Sequence, residues 1–247
     1  MRTVTFRVLS SLVALVSPAL LAAQSASFQL AFHGQKVGTA SYRIAPAKNG
    51  FTSESTIRAA TQGVDYALSK NEQLGANRQL RHADLNAVVN GQAVHVVADA
   101  DAAAVHLKIS AGGRTTSTDL AAHALAVLLP DFDPGALENL LQLAAGHNNR
   151  GLWAILPKQA GLAEAVELAT YPDEKGTLDG RDLIIHHLTA TIAGVRAELF
   201  SGPENQLLQA ELPQQGFALI RTGFVLTPPA RPIAAPDQSG SETSPQQ

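Results

Sequence analysis

Not one cysteine occurs in this chain of 247 residues. Disulfides are therefore excluded although an oxidising compartment would permit them, zinc sites built on thiolate are excluded as well, and stability has to come from a packed core. Beyond residue 23 there is also no unbroken apolar stretch of the length that a spanning helix needs. Basic clusters are lacking too: 18 Lys and Arg stand against 21 Asp and Glu, for a formal net charge of -3. Phosphate binding draws on clustered basic side chains, so this balance argues against a nucleic-acid partner. Motifs of the common chemistries are missing in the same way. There is no G-x-S-x-G elbow, no S-x-x-K with partners, no H-E-x-x-H, no P-loop and no dinucleotide-binding glycine pattern.

What is present begins with a secretory signature. Arg2 and Arg7 are followed by an apolar run from Val8 to Leu21 that closes on the small residues Ala22 and Ala23, the n-region, h-region and cleavage order of a signal peptide. As a membrane anchor the run is short, and Pro18 breaks it. Residues 1–23 are thus expected to be removed, which takes away two arginines and no acid and moves the formal charge from -3 to -5. The expected product is periplasmic or secreted, with no transmembrane segment in the mature chain. Residues 24–226 are long enough for one β-rich domain with a sizeable core. From Thr227 to Gln247 the chain is rich in Pro, Ser and Gln without apolar periodicity, the composition of a disordered tail.

Within the domain a period of two dominates. FQLAF from Phe28, the turn HGQK and then VGTASYRI read as a hairpin, and FTSESTIRAA puts Phe51, Ser53, Ser55 and Ile57 on one face. Asn90-Gly91 lies between LNAVV and QAVHVV, a type I′ turn signal, because both residues tolerate positive φ. In VHLKI, Val105, Leu107 and Ile109 share a face while His106 and Lys108 take the other. Then the period changes. Asp119 is expected to cap a helix over Leu120 to Leu129, and Asp133-Pro134 opens a second helix to about Ala145, with Leu137, Leu140, Leu141 and Ala144 on its apolar face. Strand character returns from Leu152, with turn signals at Asp179-Gly180 and Ala193-Gly194, for roughly ten to twelve strands in all.

Short turns without βα alternation exclude a doubly wound nucleotide-binding fold. A meander that resumes after a helical excursion favours a mainly β fold: a curled antiparallel sheet or half-barrel with one or two helices packed against its concave side. The opening HGQKVGTASYRI, the helical middle and the closing PENQLLQAELPQQGFALIRTGF resemble a group of secreted or periplasmic bacterial proteins of unknown function. Their curled sheet opens on a G-x-x-x-G-like hairpin, as in Gly34 to Gly38. It closes on an apolar strand, a Pro and a strand carrying Arg, matched by Leu207 to Leu212, Pro213 and Arg221. The chain is also similar to envelope lipoprotein carriers, whose half-barrels hold acyl chains under a helical lid. The resemblance implies a fold and a compartment, and no reaction.

Candidate chemistry is sparse. His95 and His106 lie on the polar face of adjacent expected strands and are expected to face each other, but two imidazoles make an incomplete metal site. Strand neighbours His186 and His187 point to opposite faces. Asp99 and Asp101, and Asp131 and Asp133 ahead of Glu138, lack the ligand ladder of a calcium loop and suit turn and cap roles. No cofactor and no metal is expected. Trp153, with Phe132, Leu137 and Leu141, is either a pocket wall or an ordinary core anchor. The leading reading is an envelope module binding a lipid or other apolar ligand such as an acyl chain. Behind it stand an interaction protein that engages another envelope protein through a sheet edge or its Pro-rich tail, and then a hydrolase with scattered residues, which nothing but abundant His and Ser supports.

Overall fold

Strands that reverse sharply need turn residues that accept positive φ, and the chain supplies them in pairs. His33-Gly34, Asn90-Gly91, Gly112-Gly113, Asp179-Gly180 and Ala193-Gly194 all lie in the left-handed region, with φ of 50° and 78° at Asn90-Gly91. In the computed structural model, which describes residues 23–227 apart from 62 and 159–160, a long meander results. It comprises β1 (Gln24–Phe32), β2 (Gln35–Ala47), β3 (Gly50–Thr61), β4 (Val64–Leu74), β5 (Leu80–Val89), β6 (Gln92–Ala100), β7 (Ala104–Ala111) and β8 (Arg114–Ala121). Each is antiparallel to the next.

An excursion follows: β9 (Ala126–Leu128), the helix α1 (Pro134–Gly146) and β10 (Trp153–Leu156), with β9 and β10 parallel. The chain returns through β11 (Leu162–Thr170), β12 (Glu174–Leu178), β13 (Arg181–Ile192), β14 (Val195–Ser201), β15 (Leu207–Leu212), a 3-10 turn at Pro213–Gln215, β16 (Phe217–Arg221) and β17 (Phe224–Thr227). Because β16 pairs with β1, both halves belong to one sheet of seventeen strands. The sheet curls around α1 without closing into a barrel. The fold is therefore mainly β with a single helix among the described residues, and it has more strands than the sequence rhythm gives. None of those residues forms a helix long and apolar enough to cross a membrane. The expected signal segment up to residue 22 and the tail from residue 228 lie outside the described residues.

Alternation fills the inside of the curl. Phe28, Leu30, Tyr42, Ile44, Ile57, Leu68, Leu85, Val96 and Leu107 all face inward and are buried. The apolar face of α1, including Leu137, Leu140, Leu141 and Ala144, packs onto them. A smaller second core forms where β12 and β17 fold over the outer side of β14 to β16, around Ile185, Phe200, Leu208, Phe224 and Leu226.

The first expected helix does not form. Leu120 to Leu129 is not a helix: the Gly112-Gly113 turn sends the chain back as β8, and Asp119 faces His106 across the ladder instead of capping anything. Ala126 to Leu129 are then buried, three of them in the parallel strand β9. A short, wholly apolar run carries no readable period, so its surroundings decide its conformation. The Asp133-Pro134 helix does form, and Asp133 accepts from Gly135 N at 2.9 Å.

Close approach of α1 to β3 requires Gly135, since a Cβ there would collide with Ser55 Oγ. Gly135→Ala is expected to cost about 1–3 kcal/mol as overpacking. Urea denaturation measures this, and Gly135→Ala with Ser55→Ala should recover most of the loss.

Candidate functional site

Two polar arrangements stand out, one inside the curl and one outside. The inner one follows from inward positions of the meander that are polar instead of apolar. Ser53 and Ser55 on β3 and Lys70 on β4 are each no more than 1% exposed, and Glu72 is 5% exposed. The Lys70 ammonium has three protons and three acceptors: Glu72 Oε1 at 3.0 Å, the Leu128 carbonyl at 3.3 Å, and the Asp133 carboxylate that also caps α1. Burial alone would lower the Lys70 pKa, but the Asp133 and Glu72 charges win and raise it. Burial pushes Glu72 up, and Asp133 adds to this against the opposing pull of Lys70. Activating a serine with a lysine requires a neutral amine. Lys70 is paired with two carboxylates whose charges favour its charged form, so the cluster ties the cap of the helix to the sheet.

Further polar ties hold α1 at its sides. Glu138, fully buried, accepts from Leu207 N at 2.7 Å and from Gln142 Nε2 at 3.1 Å. Burial and the neighbouring Glu138 carboxylate push the Tyr42 hydroxyl up. Tyr66 donates to Asp131 at 2.8 Å, and Lys158 pairs with the same carboxylate.

The outer arrangement is a groove. A hollow of about 760 Å³ lies over the outward face of β3 to β8 and takes in Thr56, Ser69, Asn86, His95, Ser110 and Thr115. Strand register places these six in one line, each directly opposite the next. Short side chains make the floor low, while Arg58 and Arg114 at its margin pair with no carboxylate among the described residues. Ala67, Val88 and Ala93 form an apolar strip beside the line, with Val88 41% exposed. Asn86 Nδ2 at 2.8 Å and His95 Nε2 at 3.0 Å both engage Asp84, which fixes the two side chains and leaves Asn86 Oδ1 and His95 Nδ1 for a ligand.

Of the residues singled out in the sequence, Leu137 and Leu141 are each 3% exposed in the main core, and Phe132 and Trp153 are half-buried against it. Trp153 stacks on His123 with ring centroids 3.6 Å apart. None of the four lines the outer groove. His95 and His106 do not face each other: Ser110 stands opposite His95, and Asp99 opposite His106, because the turn after Ala100 sets the register four residues away from the expected one. His186 meets Asp173, whereas His187 lies between Glu174 and Glu198. Among the described residues, no group of three or more His, Asp or Glu is arranged to hold a metal ion. Asp131 and Asp133 serve the ties given above, and Asp101 accepts from the backbone of Ala103 and Ala104.

Sequence reasoning missed Lys70 and Glu72. Their signal is their spacing, since Leu68, Lys70, Glu72 and Leu74 share one parity and all four are buried. The groove was missed for a different reason: its line spans six strands, and no single segment of sequence displays it.

Two measurements test these assignments. Lys70→Met leaves two carboxyl groups buried without their cation and is expected to cost about 3–5 kcal/mol in urea unfolding. Combining it with Glu72→Gln and Asp133→Asn, which removes the orphaned charges and keeps an acceptor at the cap, should cost less than Lys70→Met alone. Backbone N–H groups of Ala104 and Ala103, together with His106, hold Asp101 down at about 2, and Asp119 with Asp101 raises His106. The Asp101 contribution is present above the ordinary carboxylate range and lost as pH falls through about 2. The His106 contribution is present below the ordinary imidazole value and lost as pH rises through its raised value. In an NMR titration, Asp119→Asn should move the His106 midpoint downward.

No known protein family, no curated protein and no solved structure matches the chain. The chemistry of its own surfaces is therefore the basis for a functional reading.

Proposed function

We propose that this chain is an exported binding module of the cell envelope that carries its ligand on the outward groove over β3 to β8. The observation that supports this is the groove itself: about 760 Å³, with a fixed polar line, an apolar strip and two arginines that no carboxylate neutralises among the described residues. Ligand sites combine apolar area with a few placed polar groups in this way. Export rests on the Arg2, Arg7 and Val8 to Ala23 pattern.

A second reading keeps the ligand inside, as an acyl chain against Phe132, Leu137, Leu141 and Trp153. What supports it is the architecture, a curled sheet with the apolar face of α1 packed inside it. That reading requires α1 to give up space it now occupies with Leu137, Leu140 and Leu141.

Native mass spectrometry of protein recovered from the envelope fraction separates the two. The expected result is a chain beginning at Gln24 with added mass that disappears in Ala93→Arg, a substitution at an exposed position in the groove. Added mass that persists in Ala93→Arg supports the interior site instead. A bare chain that also gains nothing from envelope extract would overturn both.

A further inference from the structure

The line of short polar side chains does not stop at the groove. Ser41 stands opposite Thr56 and bonds to it at 2.9 Å, and Ser27 stands opposite Ser41. Ser27, Ser41, Thr56, Ser69, Asn86, His95, Ser110 and Thr115 thus form one uninterrupted row, one residue from each of β1 to β8. At its β1 end the row runs into a second hollow of about 440 Å³, where Ser25, Ser27, Ser41 and Thr222 stand with Arg221 and Asp179. The row joins the two hollows into one track across the sheet.

Three properties of the track specify its occupant. First, successive strands are about 4.8 Å apart, so hydrogen-bonding groups recur at that pitch over about 34 Å, perpendicular to the strands. An extended peptide repeats at about 3.4 Å per residue and would fall out of step. The length of one pyranose unit in an extended β-linked glycan stays close to the pitch. Second, every member of the row except His95 carries a hydroxyl or an amide and no ionisable group, which suits a partner whose own groups are hydroxyls and acetamides. Phosphate-rich polymers would need a basic row. Third, the row is low and its neighbours are tall on one side: Arg43, Glu54 and Lys108 stand in the flanking register row. A chain lying in the track would have side walls that can donate and accept.

We infer that the track binds a linear, hydroxyl-rich glycan laid across the strands, about one sugar unit per strand. This rests on the reading of the outward groove as the ligand surface and names its ligand class. Arg221 and Asp179 at the β1 end supply a donor and an acceptor for the last unit.

The test titrates the full chain by calorimetry with the β-1,4-linked hexamer of N-acetylglucosamine, with its disaccharide, with cellohexaose and, separately, with laurate. One of the two hexasaccharides is expected to bind at least about tenfold more tightly than a disaccharide, because each added strand contact contributes. Ser69→Arg and Thr56→Arg, both exposed and mid-row, should each weaken the hexamer by about tenfold or more with an unchanged melting temperature, while Gln73→Arg, exposed and two register rows away, should not. Hexamer binding that is no tighter than disaccharide binding, or that ignores both mid-row arginines, overturns the glycan inference. Laurate binding that Ala93→Arg abolishes, without glycan binding, overturns the inference and leaves the groove reading standing. Silence from every probe removes both.

Discussion

A single buried ammonium decides which side of the sheet can face a ligand. Lys70 donates to the Leu128 carbonyl and pairs with the Glu72 and Asp133 carboxylates, and so binds the meander, the cap of α1 and the strand β9 at one point. Desolvating such a group costs several kcal/mol unless its protons are all accepted, which is why the geometry is a tripod and not a pair. The consequence is positional. With Asp133 fixed, α1 starts against Ser53 and Ser55, its leucines fill the curl, and the inside becomes core. An apolar interior that is occupied leaves the outward face as the surface with space.

The outward face then inherits its properties from alternation. Residues that the core does not claim in β1 to β8 point out, and the register aligns residues of like character into rows. One such row is short and largely free of charge, while the rows beside it carry Arg43, Glu54, Lys108 and Arg58. A depression follows from side-chain length alone and requires no irregular backbone. A site built on paired strands is also rigid, so binding orders few side chains and loses little entropy.

The sequence displays this structure unevenly, and the reason is range. Local signals read correctly: Asn90-Gly91, Asp179-Gly180 and Ala193-Gly194 make the expected turns, and Asp133-Pro134 opens the expected helix. The run from Leu120 misled because neither length nor period separates a buried strand from a helix in so short a stretch of Ala, Leu and Val around one His. The pairing of His95 with Ser110 instead of His106 depended on a turn at residues 101–103 whose length fixes register. A shift at any turn would break a row, so the groove is a product of every turn between β1 and β8 and is invisible to a reading that handles one hairpin at a time. Lys70 and Glu72 were legible by parity, as charges on the inward face of a strand; the partner Asp133 was already explained as a cap, which hid its second role.

A shallow track sets a condition on its ligand. Each neutral hydrogen bond exchanged with water nets about 1 kcal/mol, so a single sugar on Ser69 or Thr56 would bind too weakly to matter. Micromolar binding needs about 8 kcal/mol beyond the cost of association, more than a row of eight such bonds supplies, so the track's complexes are weaker than micromolar and depend on several contacts made in register. The row provides such contacts at a fixed pitch, and Asp84 locks Asn86 and His95 in place before any ligand arrives. Binding should therefore grow with chain length until the ligand spans the strands and then level off. An interior acyl site behaves differently, because its affinity grows with each methylene buried and is indifferent to the register of the outer face.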